Sequence, residues 1–185
     1  MPGPLVTTDD RVALRTAEKD DRSFLQRGVA NAALRRPMGS PVMSRSDLDD
    51  YVEGQDDADW FVVCLDEDDA GPGYPADGDT RRIGSVVVDA MSYKRPELAY
   101  WLVPDAQGQG YGKRAASLAV DYVFGQYDVP AVGASAFGFN DASRGLLESL
   151  GFTEEGRRRK YMFVDGAHRD MVHYGLLREE WDGDR

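Results

Sequence analysis

The residues in this chain best suited to chemistry are three glycines, each two apart, in the run Gln107-Gly108-Gln109-Gly110-Tyr111-Gly112. Glycine lets backbone pass close to a ligand, and a helix opening behind such a turn points its first N–H groups outward. Together these features suit a phosphate or pyrophosphate, and Lys113 and Arg114 add positive charge at the same place. Other readings share a bare Gly-x-Gly turn. A dinucleotide fingerprint needs Gly-x-Gly-x-x-Gly early in a βαβ unit, whereas this turn comes after four expected strands with the wrong third spacing. A Walker loop needs a hydroxyl after Gly-Lys, where Arg114 stands here. A purely structural turn is the third alternative.

The turn must be held by its flanking elements. Glu97 to Val103 reads as a strand, ended by Pro104, which removes a ladder donor. Beyond Gly112, Ala115, Leu118, Ala119, Tyr122 and Val123 recur at helical spacing to about Gln126. Upstream, a strand is expected over 11–16. A helix capped at Asp20-Asp21 carries Phe24, Leu25 and Val29, and a second opens at Ser44 or Ser46 with Leu48, Tyr51 and Val52. Runs 60–65 and 83–88 form an antiparallel hairpin across a long connection. Downstream, strand 132–137 leads to a helix capped by Asn140 or Asp141, with Ala142, Leu146, Leu147 and Leu150 on its apolar face. Gly151 closes this helix in a left-handed conformation. Strands over 152–159 and 170–177 complete an α+β fold of order β-α-α-β-β-β-α-β-α-β-β, a single domain over 1–185.

Bulk properties narrow the partners. With 22 Lys and Arg against 33 Asp and Glu, the formal net charge is -11, which disfavours nucleic acid as a partner. Thirteen acids fall between Asp47 and Asp79 without one base, and residues 66–80 read as an acidic Gly- and Pro-rich loop between two strands. A solvated surface is the preferred reading, against an acidic recognition patch. No apolar run reaches membrane-spanning length and no leader pattern opens the chain, so a cytoplasmic location and no membrane contact are expected. Cys64, the only cysteine, lies in a strand-like apolar run, and with two histidines, His168 and His173, no metal site is expected. His173 in an alternating strand is read as packing or surface. Arg157-Arg158-Arg159-Lys160 stands out; alternation places Arg157 and Arg159 on one face and Arg158 and Lys160 on the other.

Tyr100-Trp101-Leu102-Val103-Pro104-Asp105-Ala106 followed by the glycine run resembles the coenzyme A motif of the GNAT acetyltransferases. Asn140-x-x-Ser143 with Leu150-Gly151-Phe152, about thirty residues on, is similar to the second hallmark of that superfamily. Leu14 to Asp21 is like its usual first strand and helix start. Tyr-Trp-Leu, Asn-x-x-Ser and Asp165-Gly166-Ala167-His168-Arg169-Asp170-Met171 resemble the branch that acetylates ribosomal-protein N-termini, a branch that includes relatives acting on other amines.

The resemblance implies a mixed, mostly antiparallel sheet splayed between its fourth and fifth strands, with about four helices. It implies acetyl-CoA as cosubstrate, without a metal, and transfer of its acetyl group to a primary amine by direct attack. The acceptor would be a protein N-terminus or a small amine such as a polyamine; a non-catalytic acyl-CoA-binding domain is the alternative. By resemblance Leu102 and Val103 face the thioester, one N–H serving as oxyanion donor. Gln107, Gly108, Gln109, Gly110, Tyr111, Gly112 and Lys113 hold the pyrophosphate, and Asn140 bonds the pantetheine amides. Glu97, on the same strand face as Trp101, is the candidate base, against a surface glutamate near Lys94 and Arg95. The tyrosine that many members carry seven residues after the asparagine is Leu147 here, so the acid would be Ser143, which could equally cap its helix. The arginine run could meet the coenzyme's 3′-phosphate, an acidic substrate or only solvent. The acceptor pocket would draw on the loop around Arg36-Pro37-Met38, and the final strands could pair across a homodimer.

Overall fold

Period-two alternation of apolar residues builds one eight-stranded sheet, which the computed structural model describes together with the rest of residues 1–67, 70–89 and 95–183. Asp68 and Asp69 of the acidic run, and Lys94, lie outside the described residues. The strands are β1 (Leu5–Asp9), β2 (Val12–Thr16), β3 (Asp59–Asp66), β4 (Thr80–Asp89), β5 (Glu97–Leu102), β6 (Ala131–Phe137), β7 (Thr153–Val164) and β8 (Ala167–Leu177). Their order across the sheet is β1-β2-β3-β4-β5-β6-β8-β7, and every neighbouring pair is antiparallel except β5 with β6. The helices are α1 (Arg22–Ala30), α2 (Ala32–Met38), α3 (Arg45–Glu53), α4 (Tyr111–Gln126) and α5 (Asp141–Ser149).

Each sheet face buries a different set of helices. Leu14, Val63, Val86, Leu98, Val132, Val172 and Leu176 pack in the main core with Ala115, Ala116, Ala119, Val120 and Val123 of α4. Alanines at those positions let the helix axis lie close to the strands. On the other face Gly28 of α1 approaches Trp101 of β5 so closely that a Cβ there would lie 2.1 Å from the indole. Phe24 reaches the same ring at 5.5 Å between centroids.

Several expectations need correction. The sheet gains β1, an edge strand that pairs with β2 just after the Pro-rich start. Among the described residues there are five helices rather than four: Asn31 caps α2 through its side chain, and Pro37 lies inside that helix instead of in a loop. A proline near the last turn costs one backbone bond without preventing the turns before it. The last two strands are longer than expected and meet at Asp165-Gly166, both left-handed (φ 49° and 77°), the geometry of a tight type I′ hairpin. The expected alternation of the basic run fails. Arg158 pairs with Met171 and Met162 with Arg169, so β7 carries two extra residues between them, and Lys160 is left-handed (φ 51°) with its N–H donated to Asp170 Oδ1 at 2.9 Å. Gly151 closes α5 with φ 91°, as its position predicts.

The long β3–β4 connection is tied down from inside. Arg15 of β2 has a fully buried side chain, whose Nη2 lies 2.7 Å from Asp66 Oδ2. Its guanidinium also donates to the carbonyls of Gly71 and Gly73 at 2.9 Å each, and Leu5 N–H donates to Pro72 O. One buried cation therefore organises the acidic segment. Removing one partner of a buried pair strands the other charge, so Asp66→Ala should lower the unfolding free energy by about 3–5 kcal/mol. Glu67→Ala, which removes the exposed Arg11–Glu67 pair, should cost less than about 1 kcal/mol. Urea unfolding distinguishes the two, and equal losses would show that Arg15 does not anchor the connection.

Candidate functional site

The site exists because β5 and β6 part company. They pair only at Glu97↔Gly133 and Leu98↔Ala134, although β5 stays paired with β4 from Glu97 to Leu102. Beyond Leu98 and Ala134 the strands diverge, and two cavities open on either side of the gap. One, of about 530 Å³, lies between the end of β5, the glycine loop, α2 and α5. The other, of about 260 Å³, lies under α1 to α3. Both are lined by Pro37, Met38, Tyr100, Trp101, Asn140 and Ser143, so they meet at these residues.

The larger cavity ends on the glycine loop. Gly108 and Gly110 are left-handed (φ 73° and 84°), and nothing lies within 4 Å of where a Cβ would stand, so the demand there is backbone conformation. Gly112 differs: a Cβ on it would approach Leu146 Cδ1 at 3.1 Å, and its absence lets α4 start against α5. Gly110 is the N-cap of the 16-residue α4, so the N–H groups of Tyr111, Gly112 and Lys113 open the helix. Gln107 and Gln109 use their side chains to shape the loop, donating to Leu102 O at 2.9 Å and Asp105 O at 2.8 Å. Lys113 lines this cavity, but Arg114 turns away to Asp9 and Asp10 at 3.3 and 3.4 Å. None of Arg157, Arg158, Arg159 and Lys160 lines either cavity.

Of the two residues expected at the oxyanion position, one is already committed. Val103 N–H donates to Ile83 O at 2.8 Å. Backbone groups alternate along a strand, so Leu102 N–H points the opposite way, into the gap where β6 has left.

At the junction, Tyr100 and Ser143 bring their hydroxyl oxygens to 3.0 Å, and Tyr100 also donates to Ser143 O at 3.3 Å. Asn140 is the cap of α5, its Oδ1 accepting from Ser143 N–H at 3.2 Å, while its Nδ2 donates to Pro37 O at 3.4 Å. The Ser143 hydroxyl is thereby released from capping. Burial pushes the Tyr100 phenol up to about 12, the Ser143 hydrogen bond opposing it, so the phenol keeps its proton at neutral pH. Leu147 is fully buried in the main core and cannot substitute for a hydroxyl donor.

Glu97 and Ser143 are not brought together. The Glu97 carboxylate and the Arg95 guanidinium both lie over Gly133, and Glu97 lines neither cavity. Among the described residues, Asp89 at the end of β4 is the carboxylate lining the smaller cavity, whose other walls include Leu25, Met43, Leu48, Trp60, Phe137 and Met171. The nearby Tyr51 phenol is raised by burial and by the Asp89 charge. Burial also pushes the Cys64 thiol up to about 12, which fits an inert core position. No cluster of potential metal ligands occurs among the described residues. Tyr100 and Asp89 are cavity-lining positions that the sequence reading does not single out. Leu98, Tyr100 and Leu102 share a strand face, and that period was the available signal for Tyr100.

The acetyltransferase (GNAT) domain family matches residues 11–153. The provisionally named ribosomal N-acetyltransferase YdaF of Bacillus subtilis (strain 168) is 34% identical over 92 residues, 50% of either chain, so this chain spans about half the length of that relative. The spermidine N(1)-acetyltransferase of Escherichia coli (strain K12) is 23% identical over 175 residues, 92% of this chain and 88% of its own. Among solved structures, spermidine N-acetyltransferase from Vibrio cholerae in complex with CoA and spermine superposes with a TM-score of 0.80 at 21% identity, covering 93% of this chain and 98% of that one. Mycobacterium smegmatis RimJ in complex with CoA-disulfide gives 0.74 at 20% identity, covering 98% and 88%. Matched by the family over more than half its length and sharing the fold of these structures, the chain belongs to the GNAT acetyltransferase family.

Proposed function

We propose that this domain transfers the acetyl group of acetyl-CoA to a primary amine, and that the acceptor is the α-amine of a peptide N-terminus. The observation that carries the reading is the meeting of the two cavities at Tyr100 and Ser143. One cavity ends on backbone N–H donors suited to a pyrophosphate; the other offers apolar walls and one carboxylate among the described residues.

In this reading Gly108, Gly110 and the first N–H groups of α4 hold the pyrophosphate, and the acyl carbonyl oxygen faces Leu102 N–H. The amine nitrogen bonds to the carbonyl carbon, the carbon–sulfur bond breaks, the nitrogen gives up a proton that leaves to solvent, and the thiolate takes one from Ser143, which regains a proton from solvent as the products leave. Tyr100, whose hydroxyl oxygen lies 3.0 Å from Ser143 Oγ, holds that side chain toward the sulfur. A pair of hydroxyls thus stands in for the tyrosine replaced by Leu147, which supports catalysis over coenzyme binding alone.

Two arguments favour an α-amine. A polyamine carries several cations, and Asp89 is the carboxylate the described walls offer. Proton affinity separates the acceptors further. At pH 7 about a tenth of an α-amine is neutral, against roughly 0.04% of an alkyl amine with the basicity of lysine, so only the former reacts readily without a strong base in the cavity. The second reading, a polyamine acceptor, rests on the likeness to the spermine-bound Vibrio cholerae structure.

Release of free thiol from acetyl-CoA, followed over peptides with small N-terminal residues, spermidine and spermine, tests the acceptor. Peptides should exceed polyamines in kcat/KM by at least about tenfold; the reverse order would establish the second reading, and coenzyme binding without thiol release would leave a binding domain. Gly110→Glu, which puts an anion and a strained left-handed residue at the loop, should weaken CoA binding by about a hundredfold or more in calorimetry. Unchanged affinity would refute the loop assignment. Ser143→Ala should lower kcat by about a hundredfold with little change in KM for acetyl-CoA, and full turnover would remove Ser143 from the reaction.

A further inference from the structure

In the acetyl-transfer reading the amine must lose a proton; Glu97 lines neither cavity, and Asp89, which lines the smaller one, is the carboxylate left among the described residues to meet the acceptor's charge. The strand register shows where the proton could go. Leu98↔Ala134 is the last β5–β6 pair, so Ser135 is the first β6 residue past the point of divergence, and it lines the acceptor cavity. Across the β6–β8 ladder Ser135 faces His173, with Ser135 Oγ 2.9 Å from His173 Nδ1. The far ring nitrogen, Nε2, is buried and has no hydrogen-bond partner.

Behind the histidine lies a charged cluster on a floor of two glycines. Gly133 and Gly175 are cross-strand partners on β6 and β8. A Cβ on Gly133 would meet Glu97 Oε1 at 2.8 Å and Arg95 Nε at 3.0 Å, and one on Gly175 would meet Glu155 Oε1 at 2.1 Å. Arg95 closes on the Glu155 carboxylate at 2.7 Å. The charged groups acting on His173 are Arg158 and Glu155 of β7 and Arg95 just before β5, with Glu97 beside Arg95 over Gly133. Burial first, then the Arg158 and Arg95 charges, lower the imidazole below its ordinary value of 6.5, against the opposing effect of Glu155.

The geometry points to Ser135 and His173 as a proton relay that takes the proton from the attacking nitrogen. This inference rests on the acetyl-transfer reading. The nitrogen proton passes to Ser135 Oγ as the serine's own proton passes to His173 Nδ1. The imidazolium so formed is destabilised by its neighbouring arginines and returns its Nδ1 proton through Ser135 Oγ to water in the cavity once the product has left, restoring both groups. A weak base suffices, because a nitrogen newly bonded to the carbonyl carbon is far more acidic than a free ammonium. Ser135 touches the substrate, whereas His173 is a positioning residue acting through it.

Wild-type thiol release is read first, so failure of the acetyl-transfer reading appears in wild type and failure of the relay only in variants. Ser135→Ala, at an exposed strand position, and His173→Gln are then compared with wild type from pH 5 to 8. The acceptor's own titration cancels in the ratio of wild-type to variant kcat. That ratio should be about a hundredfold at pH 8, where His173 is neutral and can accept, and should fall toward one as pH drops through the lowered His173 titration. KM for acetyl-CoA should hardly move. A ratio near one at pH 8, or one constant with pH, would overturn the relay. NMR titration of the His173 ring gives a readout independent of turnover: Ser135→Ala should shift its midpoint, and an unmoved midpoint would overturn the coupling.

Discussion

Everything that distinguishes this site depends on a parallel pairing that lasts two residues. Parallel neighbours bond evenly along their length when the strands stay aligned. Here β5 keeps faith with β4 to Leu102, while β6 is held by β8 over its full seven residues, and the two halves of the sheet turn apart after Leu98 and Ala134. The split exposes backbone groups that a continuous sheet would have consumed. It also lets a side chain such as Tyr100, which belongs to the α4 and α5 face, line a chamber on the opposite face.

The electrostatics are less diffuse than the composition suggests. A net charge of -11 reads as a uniformly acidic surface, yet many arginines are directed inward or sideways to defined partners. Arg15 holds Asp66 and two carbonyls, Arg82 meets the buried Asp21 at 2.9 Å, and Arg114 meets Asp9 and Asp10. Arg178 donates to the carbonyls of Phe124, in the last turn of α4, and of Tyr127 and Val129 just beyond it. These cations act as fasteners between segments distant in sequence, which explains why arginine, with its planar fork, outnumbers lysine so heavily here.

Much of this was legible in the residues. The glycine run, the strand before it and the helix behind it are local features, and local spacing reports them faithfully; α5 with its Asn140 cap and Gly151 closure is another case. Pairings decided by the third dimension stayed hidden. Nothing in Leu102-Val103 says that Val103 N–H is taken by Ile83, because that depends on strand register. The fate of Glu97 depends on Gly133, 36 positions later, offering a bare surface beside Arg95. The hairpin at Asp165-Gly166 carries a clear local signal, and reading those residues as part of a longer motif obscured it. The alternation expected for Arg157 to Lys160 failed because a bulge is a property of two strands at once.

That bulge has a geometric consequence for the cavities. Because this bulge adds two residues, Arg158 before it and Met162 after it face β8 partners two apart, Met171 and Arg169, and Met162 lies against Gly39. The tip at Asp165 ion-pairs with Arg36 at 3.4 Å, at the end of the helix whose Pro37 and Met38 line both cavities. The bulged hairpin therefore braces the end of α2 from a strand two elements away, so the shape of both cavities depends on a turn that lines neither of them.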